Sequence, residues 1–457
     1  MKCLLKSISV TWILLLCAGC STTGRQVIYD NTVLVTKRPL SGTAEFGWRV
    51  KTFWTEEMTS LWRRRVSFPL LARRTVPELN TDAPTFMNRD IMAEWLCEKT
   101  GPPVAGSATL LLNGENFFPR FGNAIHAATN RILLKTYIFD NDDVAKQVAD
   151  ELKARSSEID IRILYDSGGS RIAWKTDAPS RPTNSVDEVD DMIRYLADDS
   201  QIELRRANHT LLTSEHSKYI LIDSSAAYFG GMNIGREYRY DWRDAMFELH
   251  GPVLDALECR FDQAWRIAGG GLFSRIRRPA VPDTAAGDLY LIETTPLKAN
   301  IYRAQIHAIQ NARQRIYIEN PYLWNPAILY HLCAARKRGV DVRVTLPRDV
   351  NHGIGISANK LTVNRLLEHG VRVFIYPGMT HVKAAVYDQW ACFGSANFDD
   401  LSLHKNYELN LFTDNPEIVG EITKNLLLDG QQRSTEVFNS DRLSPTELFT
   451  ARFAQYL

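Results

Sequence analysis

Short apolar runs and period-two alternations recur at matched places along this chain. Tyr219-Ile-Leu-Ile222 and Ala384-Ala-Val-Tyr387 are uninterrupted apolar stretches with the length of buried strands. Ile161-Arg-Ile163 after Asp160 and Val342-Arg-Val344 after Asp341 alternate apolar and polar residues, as a strand with one buried face does. Ile202-x-Leu204 and Val371-x-Val373 repeat that alternation further on. Leu254–Trp265 and Ile418–Leu428 read as helices that close each set. The same order of elements met twice predicts two copies of one α/β unit, not a solenoid of short repeats. Between its strand echoes the first copy is longer by about a dozen residues, which places an insertion near Ser167–Asn184.

Each apolar run carries the same chemical phrase. His216-x-Lys218-x4-Asp223 is followed by Gly230-Gly231-x-Asn233, and His381-x-Lys383-x4-Asp388 by Gly394-Ser395-x-Asn397. The copies lie 165 residues apart at His, Lys and Asp, and 164 apart from the glycine onward. A carboxylate, Asp244 or Glu408, follows each Asn at the same distance of 11 residues. His and Lys at i and i+2 point to one face at the start of a strand, and the glycine turn lets backbone come close to a ligand. A lone His-x-Lys is usually the incidental polar end of an ordinary strand. Two copies with matching Asp, Gly, Asn and carboxylate are not incidental.

Two His, two Lys and two Asn are what splitting a phosphodiester without a metal requires. Neutral imidazole attacks phosphorus, imidazolium protonates the departing alcohol, and ammonium and amide groups hold the non-bridging oxygens. His216 and His381 are the candidate catalytic imidazoles, with Lys218, Lys383, Asn233 and Asn397 as the phosphate cradle. Asp244 and Glu408 are placed to bond the far nitrogen of each His and fix its tautomer. Asp223 and Asp388 belong to the same catalytic phrase but sit at the other end of the strand, a position suited to structural pairing. Cys97, Cys259, Cys333 and Cys392 have no zinc-site spacing and no His-x-x-Glu-His run is present, so neither a metal nor a cofactor is expected.

These residues resemble the signature of the phospholipase D superfamily, and within it most closely the bacterial cardiolipin synthases. The supporting stretches are Gly230–Tyr238 with Trp242-Arg-Asp244, and Gly394–Asp399 with Ser402 and Asn406-Tyr-Glu408. The resemblance covers roughly residues 105–430. It implies two similar halves, each a mixed sheet flanked by helices, related by a pseudo-twofold axis with the active site at their interface. It implies His216 as nucleophile and His381 as acid and base. The activity implied is phosphatidyl transfer between phospholipids, with an anionic lipid such as phosphatidylglycerol as substrate. Hydrolysis to phosphatidic acid and metal-independent nuclease activity use the same residues, and a non-catalytic lipoprotein would be expected to have lost at least one of them. One departure is visible: five residues separate Asp388 from Gly394 where the first copy has six, which predicts a tighter turn.

Charge and the chain's start narrow the partners. The net charge of +1 disfavours nucleic acid as a partner. Lys2 and Lys6, the apolar Ile8–Leu16 and Ala18-Gly19-Cys20 read as a lipoprotein-type signal over 1–20, with Cys20 as the lipidated residue; an uncleaved anchor is the alternative. That start predicts a bacterial envelope protein tethered to a membrane on its periplasmic side. Residues 21–104 are expected to be a tether and a mostly irregular lead. Within it Trp54, Met58, Leu61 and Trp62 fall on one helical face among arginines, which fits either a lipid surface or a helix packed on the body. The remaining divisions are a first half over 105–275, a second over 285–435, and a tail over 436–457.

Overall fold

The computed structural model describes residues 67–80, 86–181, 189–207, 213–269, 287–351 and 353–454. The expected signal, Cys20 and the Trp54–Trp62 helix lie outside these residues.

The first sheet contains β1 (Ser107–Leu112), β2 (Arg131–Thr136), β3 (Asp160–Tyr165), β4 (Glu203–Arg206), β5 (Tyr219–Ile222), β6 (Ala226–Gly230) and β7 (Ala245–His250). The second contains β8 (Leu289–Thr295), β9 (Lys298–Ala299), β10 (Arg315–Glu319), β11 (Asp341–Pro347), β12 (Arg372–Tyr376), β13 (Ala384–Tyr387), β14 (Trp390–Gly394), β15 (Glu408–Thr413) and β16 (Thr435–Val437). The strand orders are β1-β7-β6-β5-β2-β3-β4 and β9-β8-β15-β14-β13-β10-β11-β12-β16. Without the edge strands β9 and β16, the two orders are the same. In each sheet three strands run parallel, β2-β3-β4 and β10-β11-β12, and the rest pair antiparallel. The sheets are mixed and the repeat is structural.

Burial explains why the central strands read as unbroken apolar runs. All four residues of β5 and of β13 are buried, because both faces of each sheet are covered. Ile132, Leu134, Ile220 and Ile222 turn to the helices of the first half, among them Gly114–Ala127 and Asp143–Arg155. Their neighbours Leu133, Tyr219 and Leu221 turn the other way, into a core shared with Val382, Val386, Phe393 and Leu409 of the second half. In that shared core the Phe247 and Phe393 ring centroids lie 4.0 Å apart. The molecule is therefore helices, sheet, sheet, helices, with an apolar core between the two sheets as well as outside each.

Three differences from the sequence reading have local causes. Where an irregular lead was expected, Arg89–Thr100 is a helix, started by the Asn88 side chain accepting from the Asp90 amide. Its Met92 and Leu96 are fully buried in the core of the second half. The expected tail holds β16, which extends the second sheet beside β12, and the helix Pro445–Ala454, which packs on Gly353–Glu368. The closing segment at 418–428 is a helix over Pro416–Glu421 that continues as a wider π-helical stretch over Ile422–Leu428.

Candidate active site

Both motif strands begin at the seam. His216 and Lys218 precede β5 and continue into it; His381 and Lys383 do the same for β13. The segment before each His pairs with the segment before the other half's carboxylate. The His216 amide donates to the Tyr407 carbonyl at 2.9 Å, and the His381 amide donates to the Arg243 carbonyl at 2.6 Å. Through this exchange His216 Nδ1 meets Glu408 Oε1 at 2.7 Å and His381 Nδ1 meets Asp244 Oδ2 at 2.6 Å. Each carboxylate thus holds the His of the opposite copy. A carboxylate that accepts from Nδ1–H fixes the tautomer of a neutral imidazole, in which Nε2 carries the lone pair.

The two lysines share one space with these pairs. Lys218 Nζ donates to the His216 carbonyl at 2.5 Å, and Lys383 Nζ to the His381 carbonyl at 2.6 Å. Burial pushes Lys218 down to about 8, against the pull of Glu408 and Asp244. Burial likewise takes Lys383 down to about 7, with Asp244 opposing and Lys218 adding to the fall. Burial lifts the Asp244 carboxyl to about 7 despite Lys383. His216 is pushed below its ordinary value, first by burial and then by the repulsion of Lys218 and Lys383, with Glu408 pulling the other way. The motif groups of the two halves therefore act on one another in a single water-poor cluster. An anionic phosphodiester entering there would favour the charged form of both ammonium groups.

The amides are not equivalent. Asn233 Oδ1 accepts from the Ile138 amide at 3.0 Å. At the corresponding place in the second half, Asn320 Oδ1 takes the Tyr322 and Phe398 amides, each at 3.2 Å, and Asn397 Oδ1 has no hydrogen-bond partner among the described residues. Aromatic walls complete the cluster. The Tyr137 ring lies edge-on to His216 at 4.7 Å, and Trp242 and Tyr238 lie 5.2 and 5.6 Å from His381. The motif does not signal Tyr137; Tyr238 and Trp242 sit within the stretches that carry the family resemblance.

Asp223 and Asp388 stand apart from this cluster. Asp223 accepts from the Thr129, Asn130 and Arg131 amides, and Asp388 from those of Met87, Arg313, Gln314 and Arg315. Both have left-handed backbone, φ 51° and 53°, at the hairpin turns β5–β6 and β13–β14. Their inclusion in the catalytic set is corrected by this geometry: each ties a turn to the start of the neighbouring strand. The second turn is the shorter one, as the five-residue spacing predicts.

Comparison with known proteins agrees with this arrangement. Residues 122–265 and 305–428 match the family described as "Cardiolipin synthase, PLD-like domain". Cardiolipin synthase A of Pseudomonas fluorescens strain SBW25 is 30% identical over 351 residues, 72% of this chain and 69% of that protein. Cardiolipin synthase of Listeria monocytogenes serotype 4b is 27% identical, covering 75% of this chain and 71% of that one. The phosphatidylserine synthase structure from Haemophilus influenzae superposes with a TM-score of 0.62 over 80% of this chain and 98% of its own, at 14% identity, a likeness of fold. Two halves of one topology, their paired His-x-Lys strands and these relatives together place the chain in the phospholipase D superfamily, among the cardiolipin synthases.

Proposed function

We propose that this protein is a phosphatidyltransferase that moves a phosphatidyl group from one phospholipid to an alcohol of another, forming cardiolipin or a close relative. The observation that carries the reading is the crossed pair of His–carboxylate contacts beside two buried lysines. It supplies two imidazoles, each oriented through Nδ1, and cations for the phosphate between them. His216 is assigned the attack, which is supported by the burial that keeps its imidazole neutral and nucleophilic.

In the first step His216 Nε2 forms a bond to phosphorus as the bond to the headgroup oxygen breaks. His381 gives its Nε2 proton to that oxygen, and the headgroup leaves as an alcohol. In the second step neutral His381 takes the proton of the acceptor hydroxyl. The acceptor oxygen then bonds to phosphorus, the phosphorus–nitrogen bond breaks, and both imidazoles return to their first state. Lys218, Lys383 and the two asparagines hold the non-bridging oxygens throughout. Both substrates reside in a bilayer, so the reading also places the enzyme at a membrane. The signal-like start and Cys20 support a lipid-anchored position on the periplasmic side.

The test is lipid mass spectrometry of the products from vesicles of mixed phosphatidylglycerol and phosphatidylethanolamine, in excess EDTA. Cardiolipin with released glycerol is expected, and its loss in both His216→Ala and His381→Ala. Phosphatidic acid in place of cardiolipin would turn the assignment to hydrolysis.

A further inference from the structure

Arg243 sits immediately before Asp244, and its backbone and side chain both bind the second half. Its amide donates to the Met379 carbonyl at 3.1 Å and its carbonyl accepts from the His381 amide at 2.6 Å. The guanidinium is almost wholly enclosed, with 1% of the side chain exposed. Nε donates to Glu319 Oε1 at 2.9 Å, Nη1 to Asp429 Oδ2 at 2.8 Å and Nη2 to the Leu426 carbonyl at 2.8 Å. Thr380, the neighbour of His381, donates its hydroxyl to the same Glu319 oxygen at 2.6 Å. Behind Glu319 the backbone closes in, since a Cβ on Gly430 would stand 2.3 Å from Oε2. One guanidinium from the first half is thus fastened at three points to the second half, beside both members of the His381–Asp244 pair.

The other arm is built differently. The residue before Glu408 is Tyr407, and the position matching Glu319 is Lys135 at the same depth of β2. Lys135 pairs with Glu215 at 3.0 Å, within its own half. Glu215 also accepts from Ser217 at 2.7 Å. A buried ion pair reaches across the seam at the His381 arm and stays inside one half at the His216 arm. A planar, permanently charged fork suits the first task, because three of its nitrogens find fixed partners at once.

We propose that Arg243 is a positioning residue for the His381–Asp244 pair, a clamp that fixes the 243–244 segment against the second half so that the carboxylate meets Nδ1. The proposal rests on the reading of that pair as catalytic, and Arg243 itself touches no reacting atom. Burial raises the Glu319 carboxyl while Arg243 holds it down, so loss of the guanidinium also removes the reason for Glu319 to stay charged there.

Proton NMR of the full chain in water separates this role from general stability. Each His–carboxylate pair gives a far-downfield Nδ1–H resonance, assigned by its absence in His216→Ala or His381→Ala. In Arg243→Met the His381 resonance is expected to vanish or move upfield while the His216 resonance stays. In the same variant kcat falls about 100-fold with KM within about twofold of the parent, as for lost partners of a reacting group. Arg243→Lys recovers part of both signals. If Arg243→Met does not fold, Glu319→Gln carries the same expectation with less disturbance. Both resonances unchanged, or both lost together, would overturn the clamp. The resonances report on the pair whatever lipid is made, so a protein that failed as a transferase would still decide this question.

Discussion

The two arms of the site contain the same reacting groups and hold them by different means. Glu408, the longer carboxylate, reaches His216 with one oxygen and takes the Ser395 hydroxyl on the other. Asp244, the shorter one, reaches His381 and takes the Ala245 amide at 2.7 Å, with Gly231 where the other copy has Ser395. A Cβ on Gly231 would lie 2.5 Å from Asp244 Oδ1, so the absent side chain is what lets this carboxylate sit where it does. Duplication supplied the chemistry twice, and the supports then diverged. Arms that differ in this way are suited to unequal jobs, one attacking phosphorus and the other moving protons.

Removing the carboxylates should have the largest effect. Asp244→Asn and Glu408→Gln keep the size of each side chain and lose its charge. Each is expected to lower kcat by about 100-fold, measured on phosphatidylglycerol vesicles. A loss under fivefold in either would mean that arm does not depend on the opposite half. The supports come next. Gly231→Ala should lower kcat about tenfold by displacing Asp244, whereas Ser395→Ala should cost only a fewfold by removing one neutral hydrogen bond. Equal losses would erase the proposed difference between the arms. The turn aspartates complete the series with an effect on stability alone. Asp388 is fully buried under four amides and Asp223 is half-buried under three. Asp388→Asn should cost about 2 kcal/mol and Asp223→Asn about 1 kcal/mol, read from urea unfolding. Turnover per folded molecule should stay within twofold in both, and a large fall at intact stability would return these residues to the chemistry.

Much of this was legible because the motif strands are buried on both faces. Tyr219–Ile222 and Ala384–Tyr387 are apolar throughout, and the polar entry His-x-Lys stood out because it occurs before both. The repetition of one α/β unit followed once Ile161-Arg-Ile163 and Val342-Arg-Val344 were matched, whereas the order of strands within each sheet came from the structure. The crossing of carboxylates was not legible, since a repeated motif sets a carboxylate at a similar distance after each His and does not say which of the two histidines it meets. It arises from the short strand segments that exchange across the seam at Glu215–Tyr407 and Arg243–Thr380, each a single bridge too brief to leave a period. The Arg89–Thr100 helix was missed for another reason. It buries only Met92 and Leu96, too narrow a stripe to stand out among polar neighbours. Tyr137 gives no sign either, as one tyrosine after a strand is ordinary until the fold sets its ring against His216.

The exchanged segments make the catalytic unit indivisible. An isolated copy would carry an imidazole with no partner for Nδ1 and a carboxylate with nothing to orient. A lesion in the carboxylate of one repeat is therefore felt at once by the other's histidine.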